Sequence, residues 1–419
     1  MNNAKLVKMK DSDIAWLGGI PEGWRIKRLK YIAKIQTGGT PLKSDNENYS
    51  TNGIPWIKPD NLDDLKPLND SYEKVSEKGL ISNPIISKDD ILVCCIGTVG
   101  KMGVAGCDLT FNQQINSVQF YEEINKQFGK YLILSSQEEH LRNSQIVVLA
   151  ILNKTKQSNI KFPLPPIEKQ DAIANYLDKK TAQIGKFIDD KKKMIGLLKE
   201  QKQAIIHQAT TKGIDKNAKM KDSSIAWLGQ IPEDWKMLKF KFLYKASMGA
   251  TILAQDLIKN GKIPVYSATE SDKIFGYVND SSVILEKDDL VIPARGNSIG
   301  NLMIVKEERA TSTQTTIYAK KLRDNKNNID FIFHYCKSLA NHLFEYEVTA
   351  IPQITVGQVK ENPMLIPPVE IQKKIVAHIK KETSQIDIAI KKIEQEIELV
   401  EEYKKSLIFH AVTGKITIN

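Results

Sequence analysis

The stretch Ile96-Gly-Thr-Val-Gly-Lys101, followed by Met102, is the part of this 419-residue chain that looks most like a phosphate-binding loop. It lacks the Gly-x-x-x-x-Gly-Lys-Ser/Thr spacing that wraps backbone N–H groups around phosphate oxygens, so ATP binding is not expected there. Asn83-Pro-Ile-Ile and Asn362-Pro-Met-Leu lack the second proline and the aromatic residue of an Asn-Pro-Pro-Tyr methyl-transfer site. No nucleophile elbow of the form Gly-x-Ser-x-Gly occurs. His334, Cys336 and His342 share an apolar stretch, but on helical geometry Cys336 points about 160° away from His334, which predicts a packed helix and no metal. Cys94, Cys95, Cys107 and Cys336 show no CxxC pairing and no metal-ligand spacing. These residues predict a chain without a catalytic centre. What remains are clusters of hydrogen-bonding side chains: Phe111-Asn-Gln-Gln-Ile-Asn116, Arg295-Gly-Asn-Ser-Ile-Gly300 and Ser312-Thr-Gln-Thr-Thr316.

The elements that position these clusters are written twice. Met9 to Trp24 (MKDSDIAWLGGIPEGW) recurs as Met220 to Trp235 (MKDSSIAWLGQIPEDW), with thirteen of sixteen positions identical at an offset of 211. Pro165 to Thr211 aligns without a gap to Pro367 to Thr413 at an offset of 202, keeping Glu168/Glu370, Gln170/Gln372, Ile173/Ile375 and Thr181/Thr383 among others. Lys88-Asp-Asp-Ile-Leu-Val answers Lys287-Asp-Asp-Leu-Val-Ile at an offset of 199. Unequal offsets place insertions and deletions inside the repeat. The two copies share a scaffold and both ends and differ in the middle, where loops present side chains to a partner. The competing reading of the duplication is a pseudo-symmetric shell with no ligand.

Each Pro-Pro opens a segment with helical apolar spacing, Glu168 and Glu370 favour the positive helix end, and each segment ends near a glycine, Gly213 or Gly414. On a heptad, the first segment places Ala174, Thr181, Ile188, Ile195 and Lys202 at one core position and Leu177, Ile184, Lys191, Leu198 and Ile205 at the other. The second places Val376, Thr383, Ile390, Ile397 and Lys404 with Ile379, Ile386, Ile393, Val400 and Leu407. So narrow a stripe is a coiled-coil seam, and packing one helix against the other buries it, leaving charges such as Lys191 to Lys193 solvated. The alternative lays each helix separately on its neighbouring domain. About 40 residues at 1.5 Å each carry the chain roughly 60 Å, so the exit helix of the second domain must return along the first. The pair is then antiparallel, with the globular domains expected at opposite ends. Gly185 and Gly196 fall off the seam and weaken the first helix by about 1 kcal/mol each relative to Ala.

The length implies at least two domains, and 41% apolar residues support packed cores. A net charge of +10 points to an anionic partner, although a merely solvated Lys-rich face gives the same number. The polar start MNNAKLVKMK is not a secretory signal, no apolar run reaches the roughly 20 residues of a spanning helix, and the cysteine pattern fits a reducing cytoplasm.

The order globular domain, long helix, globular domain, long helix, with the repeat IAWLGxIPxxW and the boundary phrase LPPIEKQ, resembles the specificity subunits of type I restriction-modification enzymes over nearly the whole chain. Gln36-Thr-Gly-Gly-Thr-Pro41, the Pro-Pro-x-Glu-x-Gln helix starts at 165 and 367, and the ending Ala411-Val-Thr-Gly-Lys-Ile416 add to the likeness. The second copy departs from it at Met248-Gly-Ala-Thr251 and at Met364-Leu-Ile-Pro367. The resemblance implies an α/β fold with two target-recognition domains, 1–164 and 214–366. They are separated by helices in 165–213 and 367–419 that set an unspecified DNA spacer. It also implies docking of two methyltransferase subunits that use S-adenosylmethionine, and of restriction subunits that use ATP and Mg, with no cofactor in this chain.

Under that resemblance the hydrogen-bonding clusters become candidate DNA contacts. Arg and Lys suit guanine edges, Asn and Gln suit adenine, and phosphate contacts only position the duplex. The candidates in the first domain are Thr37, Gly38, Gly39, Thr40, Lys101, Asn112, Gln113 and Gln114, with Lys43 and Lys58 for phosphates. In the second they are Arg295, Asn297, Ser298, Thr313 and Gln314, with Lys259 and Lys273 for phosphates. The competing reading has Asn112, Gln113 and Gln314 satisfying turn backbones without touching a base. Rivals at the level of function are a self-contained nuclease or methyltransferase, which needs a motif the chain lacks, and an architectural coiled-coil protein that never meets DNA.

Overall fold

The structure is a computed structural model that describes residues 8–81, 83–146, 149–269, 273–346 and 352–418; Met1 to Val7 of the polar start lie outside the described residues. The chain forms two compact units, residues 1–191 with 395–419, and residues 192–394.

Unit 1 is built on a five-stranded sheet in the order Ala33–Thr37, Ile115–Phe120, Ile91–Cys94, Met102–Ala105, Pro67–Leu68, antiparallel except for the last pair. Ile91–Cys94 is buried along its whole length, which is why it reads as a continuous apolar run. A three-stranded sheet, Thr110–Phe111, Tyr49–Ile57, Lys74–Val75, covers one side. Three short helices follow the sheets: α1 (Lys126–Leu134), α2 (Gln137–Arg142) and α3 (Lys154–Asn159). Strand Lys161–Leu164 pairs with Arg25–Arg28 and leads into the long helix α4 (Ile167–Thr211). The core joins Ile91, Val93, Val118, Phe128, Leu132 and Phe162 to Leu177 of α4.

Unit 2 repeats the plan with a four-stranded sheet, Tyr244–Met248, Thr316–Lys321, Leu290–Pro293, Met303–Ile304, and a three-stranded one, Gly276–Val278, Ile263–Tyr266, Thr311–Ser312. Its helices are α5 (Ile329–Ser338), α6 (Ala340–Leu343) and α7 (Val356–Glu361), and the long α8 (Val369–Val412) starts in it and ends in unit 1. The stretch holding His334, Cys336 and His342 is thus helical. Cys336 lies in the apolar core while His342 stacks on Trp227 at 4.8 Å, so the three do not converge.

The long helices start one residue after the Pro-Pro pairs, and the carbonyls of Pro166 and Pro368 accept the first helical N–H bonds, from Gln170 and Gln372. The glutamine of each Pro-Pro-x-Glu-x-Gln phrase is a buried clamp. Gln170 Nε2 donates to Pro165 O at 3.1 Å, and its Oε1 accepts from the N–H of Asn125, the residue that caps α1. Gln372 does the same between Pro367 O and Asn328, the cap of α5. At the other ends Gly213 and Gly414 take φ of +78° and +72°, the left-handed stop that glycine allows without strain.

Within unit 1 the first part of α4 runs antiparallel to the end of α8: Leu177 shares a core with Leu407, Ile408 and Ala411, and Lys191 Nζ meets Glu396 at 2.8 Å. Within unit 2 the rest of α4 faces the start of α8 in the same sense, with Ile206 and Ala209 beside Ile375 and Ile379, and Lys202 Nζ 2.6 Å from Asp387. Between residues 181 and 205, protection from solvent falls on Thr181, Ile184, Ile188, Lys191, Ile195, Leu198, Lys202 and Ile205, and off that heptad only on Gly185. In α8 the protected set includes Ile379, Ile386, Ile390, Ile393, Ile397, Val400 and Leu407. Lys191 corrects one expectation: it is half-buried, paired with Glu396 and set over the Phe187 ring, while Lys192 and Lys193 are exposed.

Candidate nucleic-acid interface

In unit 1 the strand Ala33–Thr37 ends in Gly38-Gly39-Thr40, and this loop lies directly against the Phe111 to Gln114 turn. Gly38 N–H donates to Ile115 O at 3.1 Å and Gly39 N–H to Phe111 O at 3.0 Å. A Cβ on Gly38 would stand 2.2 Å from Phe111 O and 2.3 Å from Asn112 O, so only glycine permits this approach. Asn112 N–H donates to Ile57 O, Ile115 N–H to Asn112 O, and Cys95 N–H to Gln114 O. Two strands and a glycine loop therefore converge on one four-residue turn.

Unit 2 repeats this frame bond for bond. Gly249 donates to Thr316 O, Ala250 to Ser312 O, Thr313 to Tyr266 O, Thr316 to Thr313 O and Ala294 to Thr315 O. A Cβ on Gly249 would meet Thr313 O at 2.2 Å, as at Gly38. The departure from the glycine phrase in Met248-Gly-Ala-Thr251 thus changes Gly39 to Ala250 and keeps the glycine that close approach demands. On the shared frame the side chains differ: Asn112 and Gln114 occupy the places of Thr313 and Thr315, and only the glutamine between them, Gln113 or Gln314, is common.

Those differences change the local chemistry. In unit 1 Asn112 is buried, accepts Gln114 N–H at its Oδ1 and donates from Nδ2 to Gln114 Oε1, both at 3.0 Å. Exposed Gln113 accepts the Thr40 hydroxyl, itself exposed beside Thr37. In unit 2 the hydroxyls of Ser267, Thr313 and Thr315 form a triangle with sides of 2.7 to 3.3 Å, and Gln314 Oε1 accepts the Ile252 N–H at 3.0 Å. Arg295 and Asn297 are exposed on the segment after Ala294, whereas Ser298 and Thr313 are buried.

The lysines divide into two groups. Lys58 is paired with Glu73 and sits over the Trp56 ring at 4.8 Å, and Lys101 Nζ donates to Pro59 O at 3.2 Å in a cleft that Asp63, Asp64 and Gln137 also line. Lys43, Lys259 and Lys273 are exposed and make no hydrogen bond or ion pair among the described residues. Trp56, whose Nε1 donates to Gly39 O at 3.1 Å, belongs to the site although its sequence neighbourhood gave no sign of it: position 265 in the second copy is valine, so the repeat could not flag it. Burial pushes the thiols of Cys95 and Cys336 up to about 12, which leaves neither as a nucleophile at neutral pH. Among the described residues no group of His, Cys, Asp and Glu is placed to hold a metal, and no helix is long and apolar enough to cross a membrane.

Residues 21–195 and 232–399 each match the family model of the type I restriction modification DNA specificity domain. The chain is 24% identical to the putative type I restriction enzyme MjaX specificity subunit of Methanocaldococcus jannaschii, over 96% of each protein. It is 24% identical to the MjaVIII specificity subunit of the same organism, over 95% of this chain and 94% of the relative. Its fold is similar to a chain from a structure of a type I restriction-modification system described in terms of complex assembly and conformational transition. The TM-score is 0.68 at 13% identity, covering 95% of this chain and 99% of the other.

Proposed function

Since this chain belongs to the family of type I restriction-modification DNA specificity subunits, the non-catalytic recognition components of those systems, we propose that it reads a bipartite duplex target, one half-site per unit. The observation that carries this reading is the recurrence of five backbone hydrogen bonds around two turns whose outer side chains differ. A common frame fixes how each turn is offered to a groove, and unlike side chains on it read unlike bases. The two half-sites are therefore different sequences. Exposed Lys43, Lys259 and Lys273 are left to phosphates, as a net charge of +10 favours.

The chain delivers two methyltransferase subunits, which use S-adenosylmethionine, to an adenine in each half-site, and it docks restriction subunits that use ATP and Mg in the cytoplasm. No step of that chemistry is assigned to its own residues. Mapping methylated adenines across the genome of a cell carrying this subunit tests the proposal. Exchanging residues 1 to 160 for those of a relative is expected to replace one half-site and leave the other as it was. A swap that altered both together, or a methylation pattern indifferent to the subunit, sinks it.

A further inference from the structure

If these turns meet base edges, the structure also constrains which kind of edge they meet. A side-chain amide has one acceptor end and one donor end, and pairing with the adenine edge in the major groove uses both. In unit 1 the backbone N–H of Gln114 points at the side chain of Asn112. Because that N–H can only donate, the atom facing it is Oδ1, and the opposite end of Asn112 is Nδ2. This Nδ2 in turn lies 3.0 Å from the Gln114 amide, and since it too can only donate, the atom it meets is Gln114 Oε1. The end of Gln114 left over is the NH2 group, for which no partner exists among the described residues. The same logic holds in unit 2, where the backbone N–H of Ile252 identifies Gln314 Oε1 and frees Nε2. Gln113, which stands in the place of Gln314, meets the Thr40 hydroxyl, a group that both donates and accepts and so does not fix which amide end faces outward.

We infer that Gln114 and Gln314, whose carbonyl oxygens are held by protein N–H groups and whose NH2 ends are the free ones, turn donors outward, so the major-groove edges they read are acceptor edges, guanine N7 and O6 or thymine O4, and not the N6/N7 pair of adenine. The inference rests on the DNA-recognition reading above. It reverses what residue type alone predicts for glutamine. It also makes Asn112 a positioning residue, because it holds the carbonyl end of Gln114 inward.

Gln114→Glu and Gln314→Glu test this while keeping the folded contacts: an oxygen still faces Asn112 Nδ2 or Ile252 N–H, and only the outward donor becomes a carboxylate oxygen. Methylated adenines are mapped in cells expressing the full chain, wild type or variant, with its partner subunits. Each variant is expected to change one base pair of one half-site toward a cytosine, whose N4 donates. Methylation of the original motif falls roughly 5- to 100-fold, and the other half-site persists as a sign that the chain is folded. Duplexes carrying 7-deazaguanine, or an adenine stripped of its N6 amine, at the affected pair are then bound by the wild-type complex. Weaker binding to the first, or indifference to the second at an A·T pair, agrees with an acceptor edge. Weaker binding on loss of the N6 amine overturns the inference, as does an unchanged motif in both Glu variants, even while the bipartite reading stands. Absence of any subunit-dependent motif in the wild type overturns the reading itself.

Discussion

His140 in α2 is fully enclosed: its Nδ1–H donates to Ser136 O at 2.8 Å, while Nε2 has no hydrogen-bond partner among the described residues. Protonation would bury a charge at Nε2, and this desolvation holds the imidazole down to about 4, against 6.5 for the free side chain. Between these values the unfolded chain takes up a proton that the folded chain refuses. Stability is therefore intact above pH 6.5 and is lost as pH falls toward 4, by about 3 kcal/mol for this group. His140→Asn keeps a donor for Ser136 O and removes the titration. Thermal unfolding followed from pH 7 to 4 should show a flatter decline in this variant, and an identical decline would refute the assignment. Residues of this kind were poorly legible in the sequence. Phe111 to Asn116 stood out for its amides, but that Asn112 is buried and closes the turn depends on Ile57, a strand partner 55 positions away, which local composition does not encode. Lys58 likewise looked free for phosphates, and its pairing with Glu73 arises from the bulged strand pairing of Tyr49–Ile57 with Lys74–Val75.

At the scale of elements, what was readable was what repeats. Five heptads of apolar spacing announced each long helix, because a stripe sustained that long has no other use, whereas the sheets went largely unread. Strands such as Pro67–Leu68 and Thr110–Phe111 are two residues long, too short to show alternation, and exist because a neighbouring strand supplies their partners. The helices also carry a correctable weakness. Gly185 and Gly196 lie inside α4 with ordinary backbone angles, and a Cβ built on either meets nothing within 4 Å. Neither glycine serves a close approach, so each only loosens the helix through backbone entropy. Gly185→Ala with Gly196→Ala should stabilise the chain by about 2 kcal/mol, the two effects adding because the sites share no partner. Calorimetry of the double variant checks this, and an unchanged or lowered unfolding temperature would mean the glycines accommodate a contact this chain does not make alone.

For the whole molecule the repeat is not two beads in sequence, since each unit is completed by chain from elsewhere. The motif ending in Trp24 packs with Ile408, Ala411 and Val412 of α8, and the one ending in Trp235 packs with Ile206 and Ala209 of α4. The duplicated motif was plain in the sequence, but nothing local indicated that its first copy is capped by residues almost 400 positions later. Both helices are thus bound into both units, and a change in one has to be matched in the other. Residues 192–198 of α4 and 389–395 of α8 are bracketed by the ion pairs Lys191–Glu396 and Lys202–Asp387. Removing seven residues from α4 alone leaves five heptads facing a seam with the wrong length, and the expected result is loss of folded protein. Removing both stretches keeps every seam residue in phase and shortens the pair by about 10 Å. On the bipartite reading this shortens the spacer of the methylated motif by about three base pairs, at 3.4 Å per step, with both half-sites unaltered. Methylation mapping with the double deletion decides the matter: a well-folded variant that still methylates the original spacing would show that helix length does not set the distance between half-sites.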